Sequence, residues 1–253
     1  MDIIDVNCMY GHWPFRRVPG ESMPEMAASA AAHGVKTMLM ASLNAVFYQD
    51  SYEGDRELCA ALPDSAYQIM TVNPSLPTYR DDLKRGAAEF RLKGVKIYPT
   101  YHGYELTDTC VAELMEILGR MKLPLFVSLI IEDERMCHML TPQTTPAYML
   151  QSMIQNNEKI PVVFLNAAPM YFYGLADMVN TYGNVYFDTS GMKMPIGAVV
   201  RLAGLMRPTN LLYGSHSPMY YRQSTINMVA GDAVPEDLQK KVFYENAKRL
   251  FTL

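Results

Sequence analysis

Polar residues suited to chemistry recur in this chain at or just after short apolar runs. Asp5 and Asn7 fall in the first run, with Cys8 and His12 just beyond it. Lys96 and Tyr98 lie in the run Gly94–Tyr98, followed by His102. Ser128 lies in Leu125–Ile131, ahead of Glu132, Arg135 and His138. Asn166 and Asp188 end two further runs, and His216 follows the last. Histidine titrates near neutrality, which suits His216, placed just after the last run, to general acid/base work, with Asp188 or Asp5 to orient it. A lysine in a buried strand is costly to desolvate without a partner. Lys96 is therefore expected where its ammonium meets a carboxylate or an anionic ligand. With Arg135 it would hold a substrate carboxylate or stabilise a developing oxyanion. Asn7 and Asn166 would add neutral hydrogen bonds, and Tyr98, His102 and Glu132 complete the expected substrate-binding set.

The elements that must position these groups alternate. Eight β-rich apolar runs stand at Ile3–Asn7, Val35–Ala41, Gln68–Asn73, Gly94–Tyr98, Leu125–Ile131, Val162–Asn166, Val185–Asp188 and Leu211–Tyr213. Stretches of helical period lie between them, among them Met23–His33, Asp108–Met121 and a closing Pro235–Phe251. Alternation of this kind signals βα units around a parallel sheet. Eight units in 253 residues fit one (β/α)₈ barrel, an α/β fold spanning 1–253 as a single domain. An open doubly wound sheet is the alternative, but no glycine-rich dinucleotide fingerprint follows the first run. In a barrel the active site lies at the C-terminal ends of the strands, where these polar groups fall. Strand alternation predicts Asp5, Asn7 and Met9 on one side of the first strand, and Lys96 with Tyr98 on one side of the fourth.

Composition narrows the function classes. The chain is 49% hydrophobic and 19% charged, with a net charge of −4 from 22 basic and 26 acidic residues. That balance gives no reason to expect nucleic acid or an anionic membrane as partner. The N-terminus lacks a basic-then-apolar segment, and the longest apolar run is too short to span a bilayer. Four scattered cysteines without a CxxC pair read as reduced thiols, so a cytoplasmic location is expected.

Read in order, several segments resemble the amidohydrolase-related family of metal-dependent hydrolases and decarboxylases. Ile4-Asp5-Val6-Asn7-Cys8-Met9-Tyr10-Gly11 resembles its Asp-x-His-x-His-x-Gly start. Gly94–Pro99 resembles its fourth strand and Val185–Gly191 its seventh. Leu212–Pro218 is similar to its Gly-Ser/Thr-Asp-x-Pro eighth strand, and Glu245–Phe251 to its closing helix. The resemblance implies a metallo-dependent-hydrolase-like barrel. It also implies that the usual metal ligands fall here at Asn7, Met9, Ser128, Asn166 and His216, a set that does not supply the converging His and carboxylate ligands a divalent ion needs.

The leading expectation is thus a hydrolase or decarboxylase-type lyase that acts on a small polar or carboxylated molecule, with His216, Asp188 and Lys96 catalytic and no cofactor. A second reading rebuilds a site for one divalent metal such as zinc from Cys8, His12, His102, Glu132, Asp133 and His216. A third is a non-catalytic ligand-binding or assembly barrel. Its tyrosines (Tyr98, Tyr101, Tyr104, Tyr171, Tyr173, Tyr220 and Tyr221) would line either a pocket or an interface between copies of the chain.

Overall fold

The computed structural model describes residues 1–19, 22–132, 144–157, 160–192, 197–231 and 233–253. Eight strands pair in parallel in chain order: β1 (Ile3–Tyr10), β2 (Val35–Ser42), β3 (Ala66–Thr71), β4 (Leu92–Ile97), β5 (Leu125–Ser128), β6 (Val162–Leu165), β7 (Val185–Asp188) and β8 (Leu211–Leu212). Between β8 and β1 the ring is carried by backbone bonds from Val6 N to Tyr213 O, His216 N to Asn7 O and Met9 N to Ser217 O, at 2.8–3.0 Å. Helices lie between the strands, as the alternation predicts. Among the described residues no helix is long and apolar enough to cross a membrane.

Local chemistry explains the helix ends. Met23–Ala32 begins at a reciprocal capping box, Ser22 with Glu25, which satisfies two of the amides a helix leaves open at its start. Thr109–Met121 stops where Lys122 turns left-handed. The closing helix, expected to be continuous, contains a π segment at Lys241–Glu245 between Glu236–Lys240 and Asn246–Phe251. The Val242 carbonyl accepts from Tyr213 N at 3.0 Å, so a carbonyl inside this segment serves the end of β8.

The barrel interior is tiered. Its lower tier is apolar: Ile4, Val6, Leu39, Ile69, Phe126, Val163, Leu165 and Leu212 pack together, and Phe251 of the closing helix stacks on Phe126 at 5.6 Å. Gly94 leaves room for this layer, since a Cβ there would meet the Phe126 ring. The upper tier is also apolar and is built from Met9, Trp13, Leu43, Val46, Tyr98, Ile131 and Met219. Between the two lies a polar layer.

Candidate active site

The polar layer centres on Asn7. Its Nδ2 donates to Asp188 Oδ2 at 2.8 Å, to Asn166 Oδ1 at 3.0 Å and more weakly to Ser190 Oγ at 3.3 Å. Its Oδ1 accepts from Lys96 Nζ at 3.2 Å. Asp188 also receives Asn166 N on Oδ1 at 2.8 Å and the Ser190 hydroxyl on Oδ2 at 2.5 Å, while Asn166 Nδ2 donates to Ser190. Four strands, β1, β4, β6 and β7, thus deliver one connected network from their C-terminal ends, and all of its side chains are buried. Asn166 enters it with a left-handed backbone, φ 58. Gly214 admits it, since a Cβ at that position would collide with the Asp188 carboxylate.

Lys96 is the unusual member. It is 2% exposed. Among the described residues its amine has no carboxylate within ion-pair reach and only a neutral amide as acceptor, with the Tyr98 ring centroid 5.2 Å away. Burial therefore dominates its ionisation and lowers it to about 7, with Asp188 and then Cys8 opposing. Burial also raises Asp188, against the hydrogen bonds from Ser190, Asn166 and Asn7 and, least of all, the charge of Lys96. Two groups whose ordinary values are far apart are thus pushed toward neutrality in one compartment, the condition under which an amine and a carboxyl exchange protons. Ser128, on the same inward face of β5 as Phe126, is buried and its hydroxyl has no partner among the described residues.

Several expectations need correction. Asp5 does not share the inward face of β1 with Asn7. An extra residue between Asp5 and Cys8, where the register steps from Met38 to Met40, turns Asp5 toward the helix layer. There it accepts from Cys8 Sγ at 2.9 Å and from Ser215 N at 2.9 Å, and pairs with buried Arg222 at 3.6 Å. Burial and the Asp5 charge push the Cys8 thiol up, so this cysteine is held as a thiol. Neither aspartate orients His216. Its Nε2 lies 2.6 Å from the Ile131 carbonyl, and its ring packs on Tyr220 with centroids 4.7 Å apart. His216 is buried, with a left-handed φ of 53, and its backbone amide donates to Asn7 O.

The remaining expected binding residues sit at the margin. Glu132 is bound by Arg16 in a two-pronged ion pair at 3.0 and 3.1 Å, and Arg16 also donates to the Met219 carbonyl. His102 is turned to the Val46 carbonyl at 3.1 Å and packs against Tyr98 and Tyr104; burial lowers its ionisation. Arg135, like Asp133 and His138, lies outside the described residues. The polar layer is roofed. Trp13 packs edge-on to Phe15, Phe47 and Tyr101 at 5.2–6.3 Å, over Met9, Tyr98 and Ile131. A cavity of about 690 Å³ lies on the flank of this roof, lined by Tyr10 to Val18 with Ser42, Asn44 and Glu57. Sequence reasoning did not single out Ser190 or Arg222; the Asp-Thr-Ser-Gly run ending β7 was the available signal for Ser190.

The donor set does not suit a divalent metal. The Asn7 oxygen already accepts a hydrogen bond from Lys96, Asn166 Oδ1 accepts one from Asn7, Met9 offers only a soft thioether, and an amine shares the compartment. The alternative ligands are separated too: Cys8 faces Arg222, His12 is exposed, and His102, Glu132 and His216 have the partners given above. Among the described residues no three His, Cys, Asp or Glu side chains are placed to hold a metal ion.

The amidohydrolase family model matches residues 12–253. The chain belongs to the amidohydrolase family. Membership makes it an amidohydrolase-type enzyme by class, and solved structures agree on the fold. A 2,6-dihydroxybenzoate decarboxylase from Rhizobium is 13% identical with a TM-score of 0.74, over 99% of this chain and 98% of that one. A 5-carboxyvanillate decarboxylase from Novosphingobium aromaticivorans, with manganese and 4-hydroxy-3-methoxy-5-nitrobenzoic acid, is 15% identical with a TM-score of 0.75, over 100% and 96%. A TIM-barrel protein from Bordetella bronchiseptica is 14% identical with a TM-score of 0.78, over 100% and 99%. No curated protein matches in sequence. As an amidohydrolase-family barrel, the chain has its polar layer at the strand ends, where active sites of this fold lie.

Proposed function

We propose that this amidohydrolase-family chain is a lyase or hydrolase acting on a small carboxylated molecule, with Lys96 and Asp188 doing the work that a divalent ion does in a metal-dependent relative. The observation that supports this most is the buried Lys96–Asn7–Asp188 network at the strand ends. Lys96 presents positive charge or a basic amine, and Asp188 holds a proton at Oδ2 or releases it. Asn7, Asn166 and Ser190 fix the carboxylate, and Ser128 offers an uncommitted hydroxyl for a substrate oxygen. Both named neighbours with an activity are decarboxylases of aromatic carboxylates, which favours loss of CO₂ over hydrolysis. Substrate would reach the layer by displacement of the Trp13 roof toward its flanking cavity.

The test is a screen of small carboxylates for CO₂ release with protein treated with chelator and dialysed. Activity should survive that treatment unchanged. Asp188→Asn should lower the rate about 10²–10⁴-fold, the usual loss on removing a positioned acid/base. Activity that vanishes with chelator and returns with Mn²⁺ or Zn²⁺ would overturn the reading.

A further inference from the structure

Loss of CO₂ leaves an electron pair on carbon, and without a metal the site needs another place to put it. Lys96 is the group whose setting suits this role. Among the described residues Lys96 and Arg222 are the buried cations, and Arg222 is matched by Asp5. Among the described residues Lys96 instead makes a single hydrogen bond, to the Asn7 amide oxygen, which leaves a neutral amine well accommodated. It stands between apolar tiers, with Phe126 and Leu165 below and Met9, Tyr98 and Ile131 above. Desolvation of this kind turns a lysine into a nucleophile toward carbonyl groups. Among the described residues Ser128 Oγ, two positions beyond the Phe126 that pairs with Lys96, is buried without a hydrogen-bond partner.

We propose that Lys96 is a covalent catalyst whose amine condenses with the ketone of a small 3-oxo carboxylate, and that the resulting iminium is the electron sink for decarboxylation. The inference rests on the metal-free reading above and narrows its substrate class. The amine adds to the ketone carbon, and the carbinolamine expels its oxygen as water, with the required proton delivered from Asp188. The bond from the α-carbon to the carboxylate then breaks. Its electron pair moves through the new C–C double bond to the iminium nitrogen, giving an enamine and CO₂. The α-carbon takes a proton, and water hydrolyses the iminium to release ketone and restore the amine. The sum is 3-oxo carboxylate anion plus one proton giving ketone plus CO₂, with no oxidant, reductant or metal. The low ionisation of Lys96 agrees with this chemistry, since an amine held neutral near pH 7 is available to attack.

The experiment uses acetoacetate as probe on the full chain, stripped of metal, with sodium cyanoborohydride present. Peptide mapping should find Lys96 carrying an isopropyl group, the reduced product after CO₂ loss, at far higher occupancy than the exposed Lys84. Lys96→Met should release CO₂ no faster than the spontaneous rate. An unmodified Lys96 in protein that turns acetoacetate over would overturn the covalent role while leaving metal-free catalysis standing. A Lys96 adduct found only with its carboxylate, with CO₂ released no faster than the spontaneous rate, would overturn the decarboxylation. If catalysis of acetoacetate or any other carboxylate returned only with added Mn²⁺, the broader reading would fail separately. The trapping on the unaltered chain needs no variant to fold.

Discussion

Replacing Lys96 by methionine should stabilise the protein at low pH and destabilise it at high pH. Burial lowers the amine to about 7 from its ordinary 10.5. At 1.36 kcal/mol for each pH unit, that gap corresponds to about 5 kcal/mol. The folded value lies below the unfolded one, so between pH 7 and 10.5 the unfolded chain binds more protons. Stability conferred by the native lysine therefore rises with pH through that window, at about 1.4 kcal/mol per unit, and the full penalty applies below it. Methionine has similar length and no charge, so it escapes the penalty. It also leaves Asn7 Oδ1 without its donor, a loss of about 1–3 kcal/mol. Asp188 keeps its three hydrogen bonds, and the Lys96 charge is the least of the influences acting on it. Near pH 6 the variant should be more stable by about 2–4 kcal/mol, and near pH 10.5 less stable by about 1–3 kcal/mol. Urea unfolding at several pH values and constant ionic strength measures both curves, with equal m-values required for the comparison. Parallel curves would mean that Lys96 titrates in the folded protein as it does in the unfolded chain, and the argument built on its burial would fall.

Two further outcomes follow from the same tiers. Arg222→Met leaves the Asp5 carboxylate buried without its cation and should cost about 3–5 kcal/mol in urea unfolding; a loss under about 1 kcal/mol would show that Cys8 and Ser215 suffice to hold Asp5. Gly214→Ala drives a methyl group into the Asp188 carboxylate, so CO₂ release should fall as far as in Asp188→Asn; undiminished turnover in the alanine variant would show that Asp188 need not stay where it is.

The barrel was legible because parallel strands covered on both faces read as continuous apolar runs, and eight of them stand in order. The polar layer was legible in kind for a related reason. Asn7, Lys96, Asn166 and Asp188 each sit at or near a strand end, where the fold turns side chains to one rim. What failed lay beyond strand arithmetic. The bulge between Asp5 and Cys8 reverses the face of Asp5, and nothing in Ile-Ile-Asp-Val-Asn-Cys announces it. The Arg16–Glu132 pair joins residues 116 apart, and the Ile131 carbonyl that meets His216 lies 85 residues from it. Such pairings are fixed by loop conformations that a single sequence does not encode in any local pattern. The roof was hidden for the same reason: nothing local to Trp13 announces its contacts with Phe15, Phe47 and Tyr101.

Energetics also bear on why the polar layer exists. A barrel interior is most cheaply filled with branched aliphatic side chains, as the lower tier of this one is. One tier higher the same barrel holds a lysine, an aspartate, two asparagines and a serine, and the lysine alone costs about 4 kcal/mol at neutral pH. That is a large share of the roughly 5–15 kcal/mol that separates folded from unfolded domains. The Arg222–Asp5 pair outside the barrel has a structural explanation, since each charge answers the other. Lys96 has no such answer: its acceptor is a neutral amide, and a methionine would serve packing better. Local rules broken at a stability cost, at the strand ends where this fold places its chemistry, are the mark of a site kept for what it does. The pH crossover of the methionine variant measures that cost directly, and the trapping experiment asks what it sustains.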